Sequence, residues 1–175
     1  MNHLFWGLFF VLLDFDLELG SAVFELLPDF LGCFLMMKGM ERLAEEDKVF
    51  DRGRHLAFGL AIWAAIVYLA KLMDLEAMAR VGLWAVELAA LIGQLVLTGL
   101  VVRGICRMEP KYDLQLRGNH LRMLLMILAV LCILSHLVSW IPLIGSICWV
   151  GECMAGLLFL GVFLDSRKRF IHRNA

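Results

Sequence analysis

The chain has 175 residues, of which 62% are hydrophobic and only 19% are charged. Soluble domains usually hold about 45–50% apolar and about 25% charged residues. The mean hydropathy of +0.82 points the same way. The composition excludes a conventional cytosolic enzyme, a secreted disulfide scaffold and a nucleic-acid-binding protein. It predicts an integral membrane protein that forms one domain over residues 1–175.

The first two apolar runs, 4–19 and 26–37, are short and carry acidic residues. They predict either two membrane spans or one re-entrant hairpin, and the sequence leaves both open. No basic region precedes residues 4–13, so a cleaved signal peptide is not expected. The acids predict an outer cluster that attracts cations, or else an ordinary acidic loop: Asp14, Asp16, Glu18, Glu25 and Asp29.

Four longer apolar runs follow, and each is long enough to cross a bilayer as a helix of about 17–25 residues. Because lipid offers the backbone no hydrogen-bond partner, these runs predict helices rather than open sheets. Together with the first two, they predict an all-α, polytopic transmembrane helical bundle of about six segments. The four runs are 56–73, 81–102, 121–139 and 141–164.

The basic residues predict the orientation. Three segments, 38–55, 103–122 and 165–175, hold five, five and four of the sixteen Lys and Arg residues. By the positive-inside rule these segments are cytoplasmic. The C-terminus is therefore expected inside, and six spans would place the N-terminus there as well. The predicted location is the cytoplasmic membrane.

An internal repeat appears when the chain is shifted by 65 positions. Lys38-Gly39 then aligns with Arg103-Gly104, and Arg42 aligns with Arg107. The pattern Arg-Gly-x-His-Leu occurs in both copies, at 52–56 and 117–121. The repeat predicts a duplicated helical hairpin, 26–73 and 91–138, related by an axis along the membrane normal.

The polar residues of that repeated loop have two interpretations. They could bind anionic lipid headgroups or a cytoplasmic partner. They could instead form the turn that starts a helix, with the arginine side chains snorkelling to phosphates. The residues concerned are Arg52, His55, Arg117 and His120.

A few polar residues fall inside the predicted spans, where each ionisable group costs about 2.5–3.5 kcal/mol. Glu152 and Gln94 lie at similar depth, which predicts a hydrogen bond between them if their helices pack, and burial favours a protonated Glu152. Glu87 shares a helix face with Gln94, and His136 shares one with Cys132. These residues predict either a polar pathway for a proton, cation or small solute, or contacts that hold helices together.

Catalytic, metal and cofactor sites are not expected. The five cysteines are odd in number and lie in apolar segments, which predicts reduced thiols. Cys148 and Cys153 lack the close spacing of zinc ligands. No phosphate-binding glycine loop and no hydrolase motif occurs in the sequence, so enzyme activity is not predicted.

The stretch Glu25-Leu26-Leu27-Pro28-Asp29-Phe30-Leu31-Gly32, followed by Met37-Lys38-Gly39, carries a resemblance. It resembles the N-terminal signature of small uncharacterised polytopic bacterial membrane proteins. The resemblance implies a bacterial cytoplasmic membrane and supplies no activity or catalytic residues.

Two functions are compatible with these patterns. The first is a small transporter or channel component for a cation, proton or small solute. The alternative is a non-transporting scaffold or regulator that binds a protein partner or anionic lipid through its basic loops. The expected surroundings are the lipid bilayer, anionic headgroups or another membrane protein, with a homo-oligomer as a further option and no nucleic acid or cofactor.

Overall fold

The computed structural model describes the backbone of residues 1–12, 16–19, 22–25, 29–72, 80–112, 116–138 and 141–174. The predicted helical architecture is confirmed in these residues, which form six helices. A short antiparallel hairpin lies between the first two helices. The elements are α1 Asn2–Leu12, β1 Asp16–Leu19, β2 Ala22–Glu25, α2 Asp29–Glu41, α3 Lys48–Leu72, α4 Arg80–Tyr112, α5 Gly118–Val138 and α6 Pro142–Asn174.

The hairpin departs from the predicted all-α class, because the first apolar run, 4–19, contains a strand as well as a helix. Helix α1 ends at Leu12, and Asp16–Leu19 pairs with Ala22–Glu25, with Asp16 opposite Glu25 and Leu19 opposite Ala22. The sequence between the strands is Gly20-Ser21, a dipeptide typical of two-residue hairpin connections. The alternation of residues in Asp16–Leu19 favours a strand of this kind.

Helices α1 and α2 are both short. With 11 and 13 residues they measure about 17 and 20 Å at 1.5 Å per residue, whereas the bilayer core is about 30 Å thick. Each helix is therefore shorter than the thickness of the bilayer core. Three other segments are long and apolar enough to do so: Val86–Tyr112, Gly118–Val138 and Ser146–Phe170.

Glycines bring α1 and α2 into backbone contact. A Cβ atom built on Gly7 would lie 2.7 Å from the backbone nitrogen of Met36, and one on Gly39 would lie 2.7 Å from that of Leu4. The pairing of Leu4 with Gly39 and of Gly7 with Met36 runs in opposite directions along the two helices. They therefore form a tight antiparallel pair, because residues without side chains let helix axes approach closely.

Large apolar side chains fill the interior, including the fully buried Leu4, Met36, Phe50, Phe159 and Phe163. The outside of the bundle is apolar too. Helix α5 exposes Met126, Val130 and Leu137, and α3 exposes a stripe of large apolar residues: Phe58, Ile62, Ile66 and Leu69. An exposed apolar surface of this extent is typical of a protein that faces lipid.

The basic segments meet at one end of the bundle. The 42–47 turn contacts the last two turns of α4, where Arg107 pairs with Asp47 and Lys111 with Glu46. The start of α5 contacts α6, where Arg117 Nε lies 3.4 Å from Asp165 Oδ2. We call this end, comprising residues 38–54, 103–112, 116–122 and 165–170, the basic end.

Candidate functional site

A polar pair joins α2 to α4 away from the basic end. Gln94 Nε2 donates a hydrogen bond to Asp29 Oδ2 at 2.5 Å. One turn farther along α4, the Thr98 hydroxyl donates to the carbonyl oxygen of Gln94 at 2.9 Å. Asp29 is the first residue of α2, where a carboxylate also interacts favourably with the helix dipole. The pair thus attaches the start of a short helix to the middle of a long one.

A second polar pair joins α5 to α6. The Cys132 thiol donates to Glu152 Oε1 at 3.0 Å. The predicted Gln94–Glu152 hydrogen bond is therefore replaced by two separate bonds. The reason is helix rotation: Leu91 and Leu95 of α4 pack on the side that holds Cys132 and Ala155, and Gln94 points about 100° away from Leu95, towards α2.

The other two residues of the predicted pathway lie on α4 and α5. Glu87 is exposed on α4, and His136 is half-buried on α5. Leucine side chains pack around Cys132 and its neighbours Leu128 and Ala155, among them Leu12, Leu91 and Leu95. The Asp29–Gln94 and Cys132–Glu152 bonds are therefore local contacts between neighbouring helices.

The predicted outer acids are spread over different elements. Asp16 and Glu18 lie in β1, and Glu25 lies in β2. Asp29 starts α2 and bonds to Gln94. Asp14 lies outside the described residues. The Asp29 side chain thus contacts one of the predicted pathway residues.

Carboxylates hold the basic end together. Lys111 Nζ lies 2.6 Å from Glu46 Oε2, and the Tyr112 hydroxyl donates to the same oxygen. These hydrogen bonds, with that from Lys111 the strongest influence, lower the pKa of Glu46. Asp47 Oδ1 accepts from the backbone N–H of Val49 at 2.7 Å, which caps α3 and lowers the pKa of Asp47.

The four predicted loop residues are all exposed at the basic end. Arg52 and His55 lie in the first two turns of α3, and Arg117 and His120 flank the start of α5. Gly118 is the first residue of α5, whereas Gly53 lies inside α3. Arg117 has a positive φ of 54°, and the Ser166 hydroxyl donates to the carbonyl of the preceding Leu116.

Two open grooves lie beside α4 at the basic end. The larger, of about 570 Å³, is the α4/α5 groove. It is lined by Gly99, Val102, Arg103, Cys106, Arg122, Leu125 and Met126. The smaller, of about 250 Å³, is the α3/α4 groove, lined by Lys48, Val49, Arg52, Leu100, Arg103 and Arg107. Arg103 belongs to both grooves.

The cations of these grooves differ in their partners. Arg107 pairs with Asp47 at 3.3 Å. Within the described part of the chain, no ion pair engages Lys48, Arg52, Arg103 or Arg122. Glu109, near the α4/α5 groove, already accepts from the backbone N–H of Gly118 at 2.9 Å. The grooves therefore carry positive charge that is not neutralised by ion pairs with carboxylates of the described chain.

Sequence reasoning missed the groove cations Lys48, Arg103 and Arg122 and the contacts of Glu46. One signal was present, because two of the contacts join positions that are 65 residues apart, the spacing of the repeat: Asp29 with Gln94 and Glu46 with Lys111. The buried faces of α2 and α4 also correspond at this spacing. Gly32, Cys33, Met36, Gly39 and Met40 are buried, as are Leu97, Thr98, Val101, Gly104 and Ile105.

No metal site is formed among the described residues, where no group of three or more His, Cys, Asp or Glu side chains could hold an ion. All five cysteines are free thiols.

Comparison of the chain with protein-family models, with curated proteins and with solved structures gave no match. The resemblance of the N-terminal segment to small bacterial membrane proteins therefore stays a prediction.

Proposed function

We propose that the chain is a non-transporting integral membrane protein, a scaffold or regulator that binds anionic groups through its basic end. The observation that carries this proposal is the set of four cations lining the two grooves without a carboxylate partner in the described chain: Lys48, Arg52, Arg103 and Arg122. An unpaired guanidinium is a strong donor for phosphate or carboxylate oxygens.

The topology proposed with this function has four spans and one re-entrant pair. Helices α4, α5 and α6 supply three spans. The exposed apolar stripe of α3, with Phe58, Ile62 and Ile66, supports a fourth. Helices α1 and α2 are too short to cross and enter from the basic end, which the positive-inside rule places in the cytoplasm. The location proposed is a bacterial cytoplasmic membrane.

A duplication of the hairpin is part of the same proposal. Its support is the direct bonding of positions 65 apart, Asp29 with Gln94 and Glu46 with Lys111. A residue that contacts the equivalent residue of the other copy lies close to the axis that relates the two copies. One contact lies at the basic end and the other deeper in the bundle, so such an axis would run along the membrane normal.

Binding of a soluble polyanion tests the proposed function. Detergent-solubilised protein should bind inorganic polyphosphate, and the variant Lys48→Gln, Arg52→Gln, Arg103→Gln, Arg122→Gln should bind at least about tenfold more weakly, because charged hydrogen bonds are worth about 1.5–3 kcal/mol each. The control variant carries Arg54→Gln, Lys111→Gln, Arg117→Gln and Arg169→Gln, which removes the same charge from side chains that are paired with carboxylates and do not line the grooves. Equal losses in both variants would overturn the proposal.

A small permease is the second candidate function. The observation that favours it is the half-buried Glu152 carboxyl, which accepts from Cys132 in the interior of the α5–α6 pair. Liposome flux measurements separate the two candidates. Proton or cation flux above that of empty liposomes, lost in Glu152→Gln and retained in the exposed-site variant Glu87→Gln, would establish the permease. The scaffold proposal predicts flux equal to that of empty liposomes.

A further inference from the structure

The α4/α5 groove has its charged and apolar residues in the same order on both helices. Helix α4 runs towards the basic end, so Gly99 lies one turn deeper than Arg103. Helix α5 runs away from it, so Leu125 and Met126 lie one turn deeper than Arg122. Cys106, the next lining residue of α4 after Arg103, lies at the basic end of the groove. The groove thus has two guanidinium groups near its mouth and an apolar wall below them.

This order matches the structure of a phospholipid, which carries its phosphate at the membrane surface and its acyl chains below it. Met126 is 57% exposed, so the apolar wall opens sideways to the surroundings of the bundle rather than into a closed core. A soluble anion would use the arginines and leave that wall uncovered. A volume of about 570 Å³ falls within the range of about 300–1,000 Å³ typical of small-molecule sites.

The charge balance favours an anionic headgroup. Arg103 and Arg122 have no ion-pair partner in the described chain, and Arg103 also faces the α3/α4 groove with Lys48 and Arg52. A zwitterionic headgroup would bring a further cation into this positive region, and like charges at short distance repel. A headgroup that carries only the negative phosphate avoids this repulsion.

We propose that the α4/α5 groove binds one anionic phospholipid, with the phosphate between Arg103 and Arg122 and an acyl chain along Gly99, Leu125 and Met126. The site rests on the proposed function, since it names the ligand of one part of the basic end. It also assigns a role to Gly99, whose missing side chain leaves the groove open. A Cβ atom there would contact Leu125 Cδ2 at 3.7 Å, an ordinary distance, so a larger residue fills the groove without a backbone clash.

Native mass spectrometry of the detergent-solubilised full chain tests this site, with phosphatidylglycerol and phosphatidylcholine as probes. Wild type should retain one phosphatidylglycerol molecule in preference to phosphatidylcholine. Arg103→Gln with Arg122→Gln should weaken that retention by about tenfold for each arginine. Arg54→Gln with Arg169→Gln, which removes equal charge from arginines that are paired with carboxylates outside the grooves, should leave the retention nearly unchanged.

A second pair of variants tests the apolar part of the site. Gly99→Leu should abolish retention of the lipid, whereas Gly59→Leu should have no effect, since no atom lies within 4 Å of a Cβ at Gly59. Size-exclusion profiles and thermal midpoints identify variants that fail to fold. If Gly99→Leu fails to fold, lipid retention by Arg103→Gln with Arg122→Gln decides whether the groove binds the lipid.

The outcomes separate the site from the wider function. Loss in Lys48→Gln with Arg52→Gln, but not in Arg103→Gln with Arg122→Gln, would overturn the α4/α5 site and leave the proposed function standing. Failure of wild type to bind either polyphosphate or phosphatidylglycerol would overturn both. Competition by glycerol 3-phosphate at the same concentration as the lipid would show a site for a free anion and would also overturn the lipid assignment.

Discussion

Single side chains decide which helices attach to one another inside the bundle. Asp29 and Gln94 join α2 to α4, and Cys132 and Glu152 join α5 to α6. Sequence reasoning placed Gln94 and Glu152 at similar depth. It could not fix their partners, because depth follows from counting residues along a helix, whereas the rotation of each helix follows from packing against its neighbours. The shared spacing of 65 residues was the available signal for Asp29 with Gln94.

Replacing Gln94 tests the importance of the first pair. Gln94→Leu removes the donor to Asp29 Oδ2 and should lower the free energy of unfolding by about 1–3 kcal/mol, since a hydrogen bond to an acidic side chain is lost inside the bundle. Denaturant unfolding in detergent micelles measures the change. Glu87→Gln is the control on the same helix, and its exposed position predicts a change within about 0.5 kcal/mol. Wild-type stability in Gln94→Leu would show that the pair contributes nothing.

The helices of the bundle pack in two different ways. Helices α4, α5 and α6 present long apolar surfaces, which hydropathy and length predict from the sequence. Helices α1 and α2 are held by close backbone contact at Gly7, Gly32 and Gly39. Gly32 and Gly39 are seven residues apart and lie on one helix face, but sequence alone gives no indication of which helix they face. The short hairpin between α1 and α2 was missed because its residues continue an apolar run.

Glycine replacements distinguish these two kinds of packing. Gly7→Ala and Gly39→Ala each place a Cβ within 3 Å of backbone atoms of the partner helix, so each should destabilise the fold by about 1–3 kcal/mol. Gly59→Ala and Gly161→Ala meet no atom within 4 Å, and the higher helix propensity of alanine should stabilise the fold by up to about 1 kcal/mol. Thermal unfolding in detergent compares the four variants. Equal effects at Gly7 and Gly59 would contradict the backbone contact between α1 and α2.

The whole molecule combines an apolar exterior with one charged end. Composition predicted the membrane environment, and the distribution of Lys and Arg predicted that three separate segments belong together. The structure brings these segments into contact through Asp47, Glu46 and Asp165. The sequence could not predict which cations of the grooves remain without an ion-pair partner, because this depends on which cations the carboxylates neutralise. Arg107 is paired, whereas Arg103, one turn earlier on the same helix, has no ion-pair partner in the described chain.

Cysteine accessibility in intact cells, with a membrane-impermeant maleimide, tests the central claim most directly: a bundle whose basic end faces the cytoplasm, with α1 and α2 as a re-entrant pair. Wild-type labelling serves as the background, because three of the five native cysteines are buried. Ser139→Cys, between α5 and α6, should react from outside. His3→Cys and His172→Cys should react only after the membrane is opened, and Asp16→Cys should stay protected from the outside. Outside labelling of Asp16→Cys would make α1 and α2 parts of two full spans, and outside labelling of His172→Cys would contradict the cytoplasmic placement of the basic end.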